Sequence, residues 1–293
     1  MPYDARVPLL ERLSLALPDL RRSERLVANL VADNPSFVIE ATMARVAEAA
    51  GVSEPTVMRF CNSLGFEGFH QFRMALAQSL ALGMPATLST ITAADSIGEL
   101  STKVFDHSIS SLDRARRYLD AASIEAAVDA ILAAESMILA GLGASAIVAM
   151  DAEQKAPLFG IPCSMPSDLH QQFMAATLSD ERSVVLAISN TGSTQSIVEI
   201  ARAARRSGAT VIGITGEETS ALAASADIVI VLKSFEDTDV LTPTVSRLAS
   251  LVIIDILATA VSLRRGSLHA RRLAAMKEQL ADFRRNDPTG AQN

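Results

Sequence analysis

The sequence predicts a multidomain chain, with an all-α N-terminal domain followed by an α/β domain built on a five-stranded parallel sheet. Three observations carry this. From about Leu9 to Leu82, apolar residues fall at helical spacing with no strand-like alternation. From Ser136 onward, short Val/Ile-rich runs alternate with amphipathic segments, the pattern of a parallel sheet covered on both faces. Aromatic residues make up 4% of the chain and Trp is absent, a composition suited to helix-rich or α/β packing rather than a β-sandwich. At 293 residues the chain is long enough for two ordinary domains, each with its own core.

In the first part, Ser23 precedes a helix over 24–33, in which Leu26, Val27, Leu30 and Val31 repeat at helical spacing and which Asn34-Pro35 stops. Helices over 43–50, 54–64 and 69–82 follow, the first two joined by the turn Gly51-Val52-Ser53. Gly83-Met84-Pro85 ends this unit, and the Thr/Ser/Ala-rich run 86–96 reads as a linker. The expected domains are therefore 1–82 and 98–293, with a linker over 83–97. Helices over 98–119 and 124–134 lead into strands at 136–140, 161–165, 183–188, 210–214 and 228–232. Between the strands lie helices at 146–159, 169–178, 195–207 and 219–224, and helices over 242–265 and 268–285 complete the pattern.

Several function classes receive no support. Cys61 and Cys163 lie far apart without CxxC spacing, as expected of small apolar residues in a reducing compartment. His70, His107, His170 and His269 show no ligand spacing, so no metal is expected. The N-terminus lacks the pattern of a signal peptide, and the longest apolar stretch, 248–263, is interrupted by Asp255. A cytoplasmic protein without a membrane partner is the expectation. The net charge of −7 gives no global field toward nucleic acid, although a sequence-specific reader needs only a small local surface.

Two glycine-containing loops carry the chemistry. Ser189-Asn190-Thr191-Gly192-Ser193-Thr194 lies between an apolar run and an amphipathic helix. A helix start offers unpaired N–H groups and the positive end of the helix dipole, and hydroxyls add rotatable donors. Gly192 allows positive φ and a close approach to an anion. Gly141-Leu142-Gly143-Ala144-Ser145 repeats this strand-loop-helix arrangement. Together the loops predict a phosphorylated small molecule. The loop 189–194 contains no acid, base or metal ligand for turnover, and no catalytic residue is assigned. The glycine spacing also fits a dinucleotide fingerprint, but Asp168 comes late for a ribose partner and no catalytic set follows, so no cofactor is expected.

The segment from Ala44 to Phe60 has the rhythm of a helix-turn-helix: a turn glycine, Ser53 as N-cap and Pro55 in a first turn. Ser53, Glu54, Thr56, Arg59 and Asn62 are the candidate DNA-facing residues, with Arg59 suited to bidentate guanine contact. Charges across 21–82 nearly cancel, so an ordinary helical hairpin stays open on the residues alone.

The run Ala47-Glu48-Ala49-Ala50-Gly51-Val52-Ser53-Glu54-Pro55-Thr56-Val57, then Arg59-Phe60-Cys61 and Leu64-Gly65-Phe66-Glu67-Gly68-Phe69, resembles the winged-helix-like domain of the RpiR family of transcription regulators. The α/β half resembles the sugar isomerase (SIS) domain with which those regulators sense phosphosugars. Gly141 to Ala146, Glu236-Asp237-Thr238-Asp239, Val245 to Ala249 and Leu263-Arg264-Arg265-Gly266 look like signatures of the family's hexose-regulon repressors. The resemblance implies a homodimer or homotetramer that binds operator DNA near genes of glucose catabolism by the Entner–Doudoroff route. It further implies release by 2-keto-3-deoxy-6-phosphogluconate. Ser145 and Ser189 match the family's effector-binding serines, and Thr191 and Thr194 its phosphate-loop hydroxyls. Gly143, Asn190, Gly192 and Ser193 complete the expected effector site. Gln195-Ser196 stands where SIS enzymes often carry an acid, consistent with binding without turnover. The rival reading is a phosphosugar isomerase or lyase with a helical dimerisation extension.

Overall fold

The computed structural model describes residues 19–81, 91–92, 95–234 and 245–286, together with 9, 13, 16 and 17. The chain divides into two compact units, Met1–Ser110 and Ser111–Asn293. Of the expected linker, residues 83–90, 93 and 94 lie outside the described residues, as do the signature 236–239 and positions 242–244 of the expected helix.

In the first unit every element among the described residues is a helix: α1 (Arg22–Asp33), α2 (Pro35–Glu40), α3 (Met43–Ala49), α4 (Glu54–Ser63) and α5 (Phe69–Ala81). Helix α1 starts earlier than Ser23 suggested, because the Glu24 carboxylate reaches back to the Arg21 N–H at 3.2 Å and makes Arg21 the cap. Asn34 ends α1 and begins α2, its side chain accepting from the Phe37 N–H at 3.1 Å with Pro35 in the first turn. The core gathers Val27, Val31, Val46, Val57, Phe60, Leu64 and Leu76. Phe72 sets α5 against α4 through edge-on contacts with Phe60 and Phe66, with centroids 5.4 and 5.6 Å apart.

Helix α6 (Ile97–Tyr118) opens on a capping box between Ser96 and Glu99, with Ser96 N–H to Glu99 at 2.8 Å and Glu99 N–H to Ser96 Oγ at 3.3 Å. Helix α7 (Ala121–Ala133) starts earlier than expected because Asp120 accepts from the N–H groups of Ala122 and Ser123. The sheet that follows is parallel throughout, in the order β2-β1-β3-β4-β5: β1 (Ser136–Gly141), β2 (Cys163–Ser164), β3 (Ser183–Ile188), β4 (Thr210–Thr215) and β5 (Ile228–Val231). Every residue of β3 is buried, as a central strand covered on both faces requires. Its alternate residues feed two cores. Val184, Leu186 and Ile188 face α7, helix α8 (Ala144–Gln154) and helix α12 (Val245–Arg264), while Val185 and Ala187 face helix α11 (Gln195–Arg206).

Three expected elements are corrected. Strand 161–165 shrinks to two residues because Pro162 and Pro166 flank it without ladder N–H groups. Helix 146–159 breaks at Lys155 into α8 and α9 (Ala156–Phe159), since Pro157 cannot continue the i−4 bonding pattern. Helix 219–224 is absent. Leu222 directs its N–H to Gly192 O at 2.9 Å, leaving a bent segment and one 3₁₀ turn, Ala223–Ser225.

Helix α10 (Leu169–Thr177) is capped by Asp168, whose carboxylate accepts from the Gln171 N–H at 2.9 Å, so the acid considered for a nucleotide ribose serves a helix instead. Helix α12 is, by length and composition alone, apolar enough to cross a membrane, as the core helix of a soluble protein also can be. Nine of its 20 residues are buried, and Ile253, Ile254, Leu257, Ala258 and Val261 belong to the sheet's core. The final helix, α13, spans Gly266–Asn286.

Candidate functional site

The sheet order places the chemistry. From β1 the chain passes to β2 on one side and then returns as β3 on the other, so the β1/β3 junction is where the winding reverses. Ligands of such sheets bind outside the carboxyl ends of the strands at that junction. Gly141 and Ile188, the last residues of β1 and β3, are partners in register, and the two expected loops leave these neighbouring strand ends.

The loop 189–194 is held from inside. Ser189 is 4% exposed, and its Oγ donates to Thr194 Oγ1 at 3.1 Å. Thr191 Oγ1 accepts from both the N–H and the Oγ of Ser193, at 3.3 and 3.0 Å, leaving its own proton free to donate. Thr191 and Ser193 are exposed, and Asn190 and Thr194 are half-buried. Gly192 has φ +62°, with its N–H on Ser189 O at 3.0 Å. Thr194 starts α11 without a side-chain cap bond, and of the first-turn N–H groups that of Ile197 returns to Thr194 O at 3.0 Å.

The second loop is similar in kind. Gly143 caps α8 with φ +59° and no side-chain hydrogen bond, and Ser145 is half-buried in the first turn. A Cβ on Gly141 would lie 2.6 Å from the Ser145 carbonyl oxygen, so only glycine lets the strand end pass this close to the helix.

Sequence reasoning missed the groups that wire these loops. Gln172, buried on α10, bridges the Gly141 N–H (3.2 Å), Gly141 O (3.3 Å) and Pro166 O (3.1 Å). Thr215, Gly216 and Ser220 hold the other loop: the Gly216 N–H donates to Asn190 O at 2.8 Å, and Thr215 Oγ1 lies between Asn190 O and Ser220 Oγ. No local motif marks these residues, because each meets its loop from more than twenty positions away in the chain. Replacing the buried amide, Gln172→Ala, is expected to leave the Gly141 polar groups without this partner and lower stability by about 1–3 kcal/mol in urea unfolding. An unchanged midpoint and slope would show that the clamp is dispensable.

No acid or base projects from the loop itself. The first acidic residue of α11, Glu199, is engaged by Gln195 at 3.1 Å and Arg202 at 2.8 Å. Burial pushes the Cys61 and Cys163 thiols up to about 12, with Glu153 adding to the effect at Cys163, so both are protonated at neutral pH. Among the described residues no group of three or more His, Cys, Asp or Glu side chains is placed to hold a metal ion.

In the first unit, α3 and α4 are joined by a turn with Gly51 at φ +65°, and Val46, Ala47 and Val57 are buried between them and the rest of the core. Ser53, Glu54, Arg59 and Asn62 are exposed. Thr56 is the exception to the expectation that Glu54, Thr56, Arg59 and Asn62 project outward. It is 4% exposed, because its place in the first turn of α4 turns it toward the core. Its hydroxyl instead accepts from Arg59 Nη2 at 2.9 Å and meets Ser53 Oγ at 3.0 Å, fixing one edge of the guanidinium. Thr56 is a support for Arg59 rather than a surface contact.

The signature arginines at the end of α12 act within the fold. Arg264 pairs with Glu125 (2.7 Å) and Asp129 (3.1 Å), and Arg265 donates to the carbonyls of Phe159 and Ile131. Arg247 is half-buried in the first turn of α12.

Comparison with known proteins agrees with both units. Residues 7–83 match the helix-turn-helix domain of the rpiR family, and residues 130–260 match the SIS domain. The chain is 40% identical to the HTH-type transcriptional regulator HexR of Escherichia coli K12 over 276 residues, covering 94% of this chain and 95% of that one. It is 38% identical to HexR of Pseudomonas aeruginosa, covering 94% and 96%. The structure of Vibrio vulnificus NanR complexed with ManNAc-6P aligns over 94% of this chain and 98% of that chain, with a TM-score of 0.58 and 25% identity.

Proposed function

The chain belongs to the RpiR family of helix-turn-helix regulators that carry a SIS domain, and from this premise we propose that it is a cytoplasmic repressor released from its operator by 2-keto-3-deoxy-6-phosphogluconate. The observation that carries the effector assignment is the pair of helix starts, α8 and α11, that leave adjacent strands at the reversal of the sheet. Each offers first-turn N–H groups and a dipole suited to one anion. A sugar acid phosphate has an anionic group at each end, so one loop takes the phosphate and the other the carboxylate. The phosphosugar held by the related NanR supports the same ligand class.

The assigned contacts are Ser189, Asn190, Thr191, Gly192, Ser193 and Thr194 on one loop, with Gly143 and Ser145 on the other. The first loop binds without turning its ligand over, because it offers hydroxyls and N–H groups but no proton-transferring side chain. Operator DNA is read by Arg59, with Ser53, Glu54 and Asn62 beside it and Thr56 behind it. The protein acts as a homodimer or homotetramer, since half-sites one helical turn apart need two heads at about 34 Å. Effector binding favours an arrangement in which the heads no longer match that spacing.

The test is fluorescence anisotropy of a duplex selected by the protein from random DNA, titrated with the sugar acid phosphate and, in parallel, with glucose 6-phosphate, which lacks the carboxylate. Saturable binding reversed selectively by the acid is expected. Failure to select any duplex overturns the DNA reading, and equal release by both sugars overturns the two-anion site. In calorimetry, Ser189→Ala is expected to weaken effector affinity by about 1.5–3 kcal/mol, the range for a hydrogen bond to a charged group. Unchanged affinity removes Ser189 from the site.

A further inference from the structure

Helix α13 contains 21 residues, and none of residues 266–285 is buried. At that length it runs about 32 Å, and a lone helix in water is marginal unless a face is packed. Its anchorage lies at its start, where Arg265 grips the end of α9 and His269 meets Leu158 O at 3.2 Å. Further along, Leu273, Met276, Leu280 and Phe283 recur at steps of three and four, which places them on one face. Leu273 is half-buried, while Met276, Leu280 and Phe283 are 39%, 42% and 67% exposed.

The charge on this helix narrows what covers it. Arg271, Arg272, Lys277, Arg284 and Arg285 stand against Glu278 and Asp282, a net +3 on a chain of net −7, while residues 111–265 of the α/β unit carry 12 basic and 18 acidic residues, a net −6. A DNA backbone would use the basic residues but not an apolar stripe. Pairing of α13 with its own copy would bring +3 against +3. It would also bury only about 600 Å², taking a helix face as about 32 by 10 Å, which is below the size of a stable interface. If each α13 instead lies on the α/β unit of the other copy, two such footprints bury about 1,200 Å² and set a basic helix on an acidic body.

We propose that α13 is the dimerisation arm, docked reciprocally through Leu273, Met276, Leu280 and Phe283 on the α/β unit of a second copy. This rests on the homo-oligomer put forward above and names the element that builds it. Sedimentation velocity of the full chain at micromolar concentration tests it, with circular dichroism to confirm folding. Leu280→Arg and Phe283→Arg are each expected to yield a species of half the wild-type mass, whereas Leu280→Met retains the wild-type species. Raising salt is expected to weaken the wild-type assembly at least tenfold.

Arginine variants that sediment like the wild type overturn the proposal. A wild-type monomer overturns it as well, and if that monomer pellets with phosphatidylglycerol vesicles the arm is a membrane contact instead. Should the variants fail to fold, charge reversal at the exposed Arg284 (Arg284→Glu) provides the same test by weakening association without placing charge in the apolar face. The operator titration is read separately, so a monomer that still binds and releases DNA would sink the arm and spare the regulator. A dimer lost on Leu280→Arg in a protein that selects no duplex would do the reverse.

Discussion

Replacing Arg59 with alanine is expected to reduce operator affinity between about 30-fold and 10⁴-fold. A bidentate arginine–guanine contact is worth about 1–3 kcal/mol of discrimination, and a dimer loses it twice. The structure makes the expectation specific. Arg59 is exposed on α4, and one edge of its guanidinium is held by the buried Thr56 hydroxyl at 2.9 Å. Part of its rotamer entropy is therefore already spent in the free protein, leaving the other edge for a base. Lysine keeps the charge but not the planar fork, so Arg59→Lys is expected to retain salt-dependent non-specific binding and lose sequence preference. Effector affinity measured by calorimetry is expected to stay unchanged in both variants. Wild-type operator affinity in Arg59→Ala would remove α4 as the reading helix.

The second large effect is expected from Gly192→Ala, which should leave operator binding intact while abolishing release by the effector. A Cβ at this position would lie 2.2 Å from Ser220 Oγ, 2.3 Å from Ser220 Cβ and 2.6 Å from Thr215 Oγ1. The backbone is also at φ +62°, a region that costs a residue with a Cβ about 1–2 kcal/mol. Rotating the serine hydroxyl does not relieve contact with its Cβ, so the loop itself must move. Displacing it separates the Thr191 and Ser193 hydroxyls from the start of α11. In the anisotropy titration the expected result is a bound operator that resists at least tenfold more effector than releases the wild type. Full release at the wild-type concentration would show that the loop does not hold the ligand.

Both predictions combine residues visible in sequence with partners that are not. Arg59 and Gly192 stand out because local chemistry marks them: a polar turn before a helix, and a glycine among hydroxyls. Thr56 reads as an equal member of the reading face until the turn of α4 points it inward. Ser220 and Thr215 carry no mark at all: Thr215 follows the expected strand 210–214, and the segment 219–224 around Ser220 is expected to be a helix. Its Leu222 N–H instead serves Gly192 O, a choice made by a loop some thirty positions away.

By itself the sequence determined the two-unit organisation, the parallel α/β pattern, strand 183–188 to the residue, and the two glycine-containing loops. These follow from local periodicity, turn chemistry and helix-start chemistry, all of which are written within a dozen residues. Only the tertiary structure decided that β1 and β3 are neighbours at the reversal of the sheet, that Gln172 and Ser220 brace the loops, and that α13 leaves an apolar face uncovered. Each of these depends on which distant segments share a hydrogen bond or a buried face. That choice is made by the folded chain minimising unpaired polar groups and exposed apolar surface across the whole unit at once.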